Sequence, residues 1–205
     1  LEKNSLVQNM EGTIGIGHVR WATHGLPNSI NAHPHSSQNV SVVHNGIIEN
    51  YHDLKTILEK SGVNFISDTD TEIISQLINI ELINGKKPLE AFKNTITKLE
   101  GAYAIVAIFR GYDDLMIGTK LGSPLLYMKA KNMILLSSDA YSISDYGSSV
   151  TYLEDGDIIV TEKSKISLHD NSLKTIQRPS KKIKKRDKDG LNGYDHFMIK
   201  EIKEQ

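Results

Sequence analysis

Hydrophobic residues recur at helical spacing in the middle of the chain, with shorter apolar runs on either side. The spacing predicts helices over residues 51–60, 71–84 and 89–99. The first ends at Ser61-Gly62 and the second at Gly85, where glycine permits the chain to leave the helix. The middle of the chain is therefore predicted to be helical.

Short apolar runs bounded by turn residues predict β-strands elsewhere. Two precede the helices, over 13–18 and 40–44, and the first alternates isoleucine with glycine, which indicates close approach of another backbone or a ligand. The strands predicted after Gly101 cover 102–109, 115–118, 125–128, 133–137, 157–161 and 166–168. Helices combined with these strands predict an α+β fold, with helices packed on antiparallel sheets.

One domain over residues 1–177 accommodates all of these elements. Residues 178–205 begin with a basic run and are predicted to be a loop and linker, because such runs are mostly solvated. Contact with phosphate groups is the alternative for this run. The chain opens without Met and closes on charged residues, so we expect both ends to be cut.

The composition and charge of the chain exclude several classes of function. The 205 residues carry a net charge of -1, which excludes a globally basic nucleic-acid binder. No apolar run approaches the ~20 residues of a membrane-spanning helix. There is no cysteine, hence no disulfide, no thiolate metal ligand and no cysteine nucleophile among these residues.

Histidine is concentrated in one part of the sequence. Five of the eight histidines and the only tryptophan lie between positions 18 and 44. Much of this stretch is a polar loop, and a loop that long in a compact domain is usually functional. His33 and His35 could begin a metal site, but no further ligand lies at a recognised spacing. We expect no bound metal and a role for these histidines in bracing the loop through hydrogen bonds.

Three motifs carry chemistry that suits an amino acid. Arg20 offers a planar fork for a carboxylate, Asp70 an anion for an ammonium, and Asn45-Gly46 a pair of donors for a developing oxyanion. Each has a structural alternative: an Arg paired to a nearby carboxylate, a helix cap at Asp70, and a turn at Asn-Gly.

Four segments carry a family resemblance: 15–25, 31–35, 44–50 and 67–72. They resemble the glutaminase domain of the glutamine–fructose-6-phosphate aminotransferases (isomerizing), or glucosamine-6-phosphate synthases, which are class II glutamine amidotransferases. Further similar segments are 101–104, 122–125, 138–139, 154–157 and 194–205. Amidophosphoribosyltransferases resemble the arginine loop but usually lack its Trp-Ala-Thr-His-Gly form.

The resemblance implies an N-terminal-nucleophile hydrolase fold, a four-layer α/β/β/α sandwich with antiparallel sheets. It also implies a cysteine at the mature N-terminus that attacks the glutamine carboxamide, with its own α-amino group as base. The cysteine and its strand are absent from these residues, so we expect the 205 residues alone to be inactive.

By motif, the resemblance also assigns roles around the substrate. The glutamine α-carboxylate would be held by Arg20, Thr23 and His24, and the α-ammonium by Asp70 and the Gly46 region. Asn45 and the Gly46 N–H would form the oxyanion hole. Trp21 would lie on a mobile loop and gate the path of ammonia.

The implied partners are L-glutamine and fructose 6-phosphate, the latter on an absent sugar-isomerase half that would also form a homodimer. No cofactor, nucleic acid or membrane is expected, and the location would be cytoplasmic. Two other readings stay open: a glutaminase domain serving another acceptor, such as phosphoribosyl pyrophosphate or aspartate, and a glutamine-binding module that lost its nucleophile.

Overall fold

A computed structural model describes residues 12–20, 25–26 and 28–183. The described helices are α1 (Tyr51–Lys60), α2 (Thr71–Ile83) and α3 (Pro88–Ile96). The described strands are β1 (His35–Ser36), β2 (Val40–Ile48), β3 (Gly101–Phe109), β4 (Met116–Leu121), β5 (Leu126–Lys129), β6 (Ile134–Ser137), β7 (Ser149–Tyr152), β8 (Ile158–Glu162), β9 (Lys165–His169), β10 (Thr175–Ile176) and β11 (Ser180–Lys182).

The chain divides into two compact units, of which the first includes the described residues up to Pro124 together with Leu153–Gln177. Its strands form a seven-stranded antiparallel sheet in the order β1-β2-β3-β4-β8-β9-β10. The β2–β3 ladder is continuous from Val40 opposite Phe109 to Ile48 opposite Gly101. This ladder holds the end of β2 in a defined position, which matters for the site below.

The helices of this unit pack on the sheet through one apolar core. Ile73, Ile74 and Phe92 from α2 and α3 share this core with Val42 and Ile105 from β2 and β3, and all five are fully buried. Burial of such side chains is the main term that stabilises a fold. It also places the first turn of α2 beside β2.

The second unit comprises Leu125–Tyr152 and the described residues from Arg178 onward. It contains a four-stranded sheet in the order β11-β7-β5-β6. Leu126, Met128, Ile143 and Val150 form its small buried core.

All three predicted helices and most of the predicted strands are confirmed, with shifts at their ends of a few residues. The strand predicted over 13–18 is wrong. Alternate residues there are half-buried, but the segment forms no ladder with any described residue. The alternating pattern reflects burial of one side, and a strand also requires a hydrogen-bonded neighbour.

Four short strands, β1, β7, β10 and β11, are not predicted from the sequence. The segment 178–205, predicted to be a loop and linker, contributes Ser180–Lys182 to an edge strand paired with β7. All three residues of that strand are exposed. Short, polar edge strands bury little, so the hydrophobic pattern does not report them.

The described helices include none long and apolar enough to cross a membrane.

Candidate functional site

A cavity of about 300 Å³ lies where the segment before Trp21, the end of β2 and the start of α2 meet. Its lining residues are His18, Arg20, His33, His44, Asn45, Gly46, Ile47, Thr69, Asp70 and Thr71. Four of the candidate site residues, Arg20, Asn45, Gly46 and Asp70, therefore share one cavity. The other three, Trp21, Thr23 and His24, lie outside the described residues.

Asn45 and Gly46 belong to β2 and pair with Ala104 and Tyr103 of β3. The alternative that Asn45-Gly46 forms a turn is therefore wrong. Gly46 has φ +126°, and a Cβ added to it would overlap the carbonyl oxygen of Ala102. Only glycine fits this close approach of two strands, so the local backbone beside the cavity depends on Gly46.

The amide of Asn45 is hydrogen-bonded to a histidine of the glycine-rich segment. His18 Nε2 lies 2.6 Å from Asn45 Oδ1, and the Arg20 backbone N–H donates to His18 Nδ1 over 2.8 Å. The imidazole thus joins the loop backbone to the strand residue that the sequence predicts to be an oxyanion donor.

Arg20 is bonded to its own loop. Its Nη1 donates to the carbonyl oxygen of Leu26 at 3.0 Å and its Nη2 to that of Gly25 at 3.3 Å. Its backbone has φ +25°, which is uncommon for a residue with a side chain. The Arg20 guanidinium therefore contacts the backbone of residues 25 and 26 while the residue lines the cavity.

Asp70 is 3% exposed and stands at the N-cap position of α2, but its side chain makes no cap hydrogen bond. The capping alternative is therefore wrong for this carboxylate. Its Oδ2 instead accepts the Ile48 N–H of β2 at 2.9 Å, which ties the helix to the strand. The carboxylate thereby lies beside Asn45 and Gly46 along the wall of the cavity.

A second buried carboxylate in this motif has a structural role that the sequence analysis missed. Glu72 accepts the backbone N–H groups of Ile66 and Ser67, the latter at 2.7 Å, and the Ser67 hydroxyl at 2.6 Å. It stabilises the loop that precedes α2. Of the two buried carboxylates, Asp70 is the one that lines the cavity.

Three histidines brace the first turn of α2 and the loop just before the helix through threonine hydroxyls. His33 Nε2 and His44 Nδ1 lie 3.0 and 2.9 Å from Thr71 Oγ1, and His35 Nε2 lies 3.0 Å from Thr69 Oγ1. The prediction that His33 and His35 brace the loop is confirmed. Within the described ranges, no group of three or more His, Cys, Asp or Glu side chains could hold a metal ion.

Burial lowers the pKa of His33 to about 3, and positive charge on His18, His35, His44 or Arg20 acts in the same direction. His33 is therefore neutral across the physiological range. His18, His44 and the bracing threonines were not assigned a role from the sequence. The signal that could have found them is the density of histidine between positions 18 and 44.

We expect His33 to make the fold sensitive to acid. Because its pKa falls from 6.5 to about 3 on folding, the unfolded chain takes up the proton first, and stability is lost as the pH falls from 6.5 toward 3. His33→Gln retains a donor toward Thr71 without this titration. It should lose less stability than the wild type between pH 7 and pH 5, by on the order of 1 kcal/mol.

Urea unfolding at the two pH values measures this difference. His52→Gln, at an exposed position of α1, is the matched control and should follow the wild type. Equal acid sensitivity of His33→Gln and the wild type would contradict the assignment of a lowered pKa to His33.

The chain is similar to a known protein family and to several known proteins. A family described as "Glutamine amidotransferase domain" matches residues 18–145. The glutamine–fructose-6-phosphate aminotransferase (isomerizing) of Bradyrhizobium diazoefficiens is 44% identical over 208 residues, which is 100% of this chain and 34% of the relative. That of Caulobacter vibrioides is 44% identical over 197 residues, which is 96% of this chain and 32% of the relative. The chain thus spans about a third of the length of these relatives.

A solved structure shares the fold. The glutamine phosphoribosylpyrophosphate amidotransferase of B. subtilis, complexed with ADP and GMP, matches with a TM-score of 0.63 and 26% identity. The match covers 77% of this chain and 35% of the B. subtilis chain. The likeness confirms the predicted fold class, an α+β fold with antiparallel sheets.

Proposed function

The chain belongs to the glutamine amidotransferase domain family, and from this premise we propose that its cavity binds L-glutamine and stabilises the charge that develops on the carboxamide when the C–N bond is cleaved. One observation carries the proposal: Arg20, Asn45, Gly46 and Asp70 line the same cavity. A cation, an anion and a pair of neutral donors match the carboxylate, the ammonium and the carboxamide of glutamine.

Asp70 is the proposed partner of the α-ammonium. It is buried, and a ligand ammonium would balance its charge where water is largely excluded. The α-carboxylate would meet Arg20, whose planar fork suits a carboxylate. Thr23, His24 and Trp21 belong to the same proposal on the strength of the resemblance alone, the first two as carboxylate ligands and Trp21 as the gate for ammonia.

Asn45 and Gly46 are the proposed oxyanion donors. Attack on the carboxamide carbon moves an electron pair onto the carbonyl oxygen, and the Asn45 amide and the Gly46 N–H would donate to it. The overall reaction converts glutamine and water to glutamate and ammonia. The 205 residues contain no cysteine, so for them the proposal covers binding and charge stabilisation, and the implied nucleophile is not one of them.

For the whole protein we propose transfer of this ammonia to fructose 6-phosphate, which yields glucosamine 6-phosphate. The relatives at 44% identity bear this activity in their names, whereas the phosphoribosylpyrophosphate amidotransferase is 26% identical. In this scheme residues 1–177 are the glutaminase domain, and 178–205 lead toward a sugar-isomerase half. A homodimer formed through that half and a cytoplasmic location belong to the same proposal.

Binding of glutamine to the chain tests the proposal directly. Calorimetric titration should give saturable binding of L-glutamine and weaker binding of two truncated amides, 4-carbamoylbutanoate and 4-aminobutanamide. The first lacks the α-ammonium and the second lacks the α-carboxylate. Equal affinity for all three, or none for L-glutamine, would contradict the proposed site. For the acceptor, the whole protein should form amino sugar from fructose 6-phosphate and leave phosphoribosyl pyrophosphate unchanged.

We expect Arg20→Lys to weaken glutamine binding about tenfold or more, because an ammonium cannot reproduce the two-point fork or its bonds to the Gly25 and Leu26 carbonyls. In the whole protein the change should appear mainly in KM, since the carboxylate is bound alike in the ground and transition states. Arg110→Lys, an exposed arginine outside this cavity, is the control. An unchanged KM for glutamine in Arg20→Lys would reject the assignment.

A further inference from the structure

His18 connects the loop backbone to the amide of Asn45, and its two ring nitrogens have different partners. The Arg20 N–H donates to Nδ1 at 2.8 Å, while Nε2 lies 2.6 Å from Asn45 Oδ1. A backbone N–H can only donate, so Nδ1 must be the unprotonated nitrogen. The proton of the neutral ring then resides on Nε2.

This tautomer determines which way the Asn45 amide faces. An Nε2–H can only donate, so the atom of Asn45 that it meets must be the carbonyl oxygen. The reversed amide would place two N–H groups against each other at the same short distance. With Oδ1 held by His18, the Nδ2 group is directed away from the ring, and Asn45 lines the cavity.

We propose that His18 is a positioning residue for the reaction: it orients the Asn45 amide so that Nδ2, and not Oδ1, is presented to the developing oxyanion. The inference rests on the proposed function, because it takes Asn45 to be an oxyanion donor. In this proposal His18, which lines the same cavity, acts on the reaction through its hydrogen bond to Asn45. Electrostatic stabilisation depends on donors that are oriented before the reaction begins.

Both partners of this bond are held from other directions. The His18 ring packs on the ring of His33 with centroids 4.2 Å apart, and His33 is in turn bonded to Thr71 of α2. The backbone of Asn45 is paired with Ala104 in the β2–β3 ladder. With the ring and the strand both restrained, the hydrogen bond between them leaves the amide one favourable orientation.

A purely structural alternative is that His18 only holds the loop by accepting the Arg20 N–H. Two substitutions separate this role from the proposed one, because each keeps a polar atom near the position of only one of the two ring nitrogens. A glutamine amide places a donor near the position of Nε2, whereas an asparagine amide places an acceptor near that of Nδ1. His18→Gln should therefore preserve the contact to Asn45, and His18→Asn the contact to Arg20.

In the whole protein, His18→Asn should lower kcat for glutamine hydrolysis on the order of 10- to 100-fold, with KM changed less than about threefold. His18→Gln should recover kcat to within about threefold of the wild type. In the Asn45→Ala background, His18→Asn should have no further effect, since there is no amide left to orient. His52→Asn, an exposed histidine on α1, is the control for a histidine substitution as such.

A spectroscopic measurement on the 205-residue chain accompanies the kinetics. The side-chain NH2 signals of Asn45, identified by their absence from Asn45→Ala, should keep their position in His18→Gln and move in His18→Asn. Thermal unfolding of each variant shows whether it folds. If His18→Asn does not fold, the result for His18→Gln decides the question alone. A folded His18→Gln variant whose kcat falls tenfold or more, a loss on the order of that caused by a misplaced catalytic group, overturns the proposal.

The remaining outcomes are equally decisive. Normal kcat in His18→Asn with reduced kcat in His18→Gln supports the loop-holding role and overturns ours. A large loss in Asn45→Ala with no loss in either His18 variant overturns the positioning role and leaves the oxyanion role of Asn45 standing. No loss in Asn45→Ala overturns both.

Discussion

Asn45→Ala is expected to lower the glutamine-dependent kcat of the whole protein on the order of 100- to 1000-fold, with little change in KM. The carbonyl oxygen of bound glutamine accepts only a weak hydrogen bond in the ground state. Once it carries negative charge, the same donor is worth far more, so the effect falls on the transition state. Steady-state kinetics with glutamine as the varied substrate measure the two constants separately.

Asn45→Asp tests the oxyanion role of Asn45 more directly. A carboxylate at this position still accepts from His18 Nε2, which lies 2.6 Å from Asn45 Oδ1, so the local hydrogen bond is retained. It has no N–H to donate and repels a developing oxyanion. We therefore expect a folded protein with a loss of kcat at least as large as in Asn45→Ala. Near-normal kcat in a folded Asn45→Asp variant would remove the oxyanion role.

Asp70→Asn is expected to weaken the binding of L-glutamine on the order of 100-fold, because it leaves the α-ammonium without its countercharge in a buried site. The variant retains an oxygen that can accept the Ile48 N–H, so the tie between α2 and β2 is kept and thermal stability should change little. Calorimetric titration of the chain with L-glutamine measures the change in Kd.

Two controls make this result specific to the charge. Asp68→Asn changes an exposed carboxylate two residues away that does not line the cavity, and it should bind glutamine normally. 4-Carbamoylbutanoate has no α-ammonium, so its affinity should be nearly the same for Asp70→Asn and the wild type. If Asp70→Asn weakens both ligands equally, Asp70 shapes the cavity and does not pair with an ammonium.

The sequence predicted which residues form the candidate site better than it predicted how they are arranged. Arg20, Asn45 and Asp70 were identified by the chemistry of their side chains, and the structure places them in one cavity. Their local settings differ from the structural alternatives that the sequence left open: Asn45 lies in a strand and not in a turn, Asp70 accepts from β2 instead of capping its own helix, and Arg20 bonds loop carbonyls. The partners of Asn45 and Asp70 are distant in sequence, so no local pattern reports them.

The contacts of His18 could not be predicted from the sequence either. Nothing in the sequence around it indicates that its Nε2 meets Asn45, because the two residues are 27 positions apart and belong to different segments. The concentration of histidines signalled that this stretch is unusual, and the motif resemblance identified the family correctly. Neither could show which histidine contacts which strand residue.

The sequence by itself determined the helices, the longer strands, the α+β class and the family, because burial of apolar side chains imposes a period on each element and because the motifs are contiguous. Only the tertiary structure decided that residues 13–18 form no ladder with any described residue, that β1, β10 and β11 lie at sheet edges with β7 between β11 and β5, and that Gly46 packs against Ala102. Pairing and close approach are properties of two segments at once. An edge strand with little to bury, or a glycine beside a distant carbonyl, therefore leaves almost no mark on the local pattern.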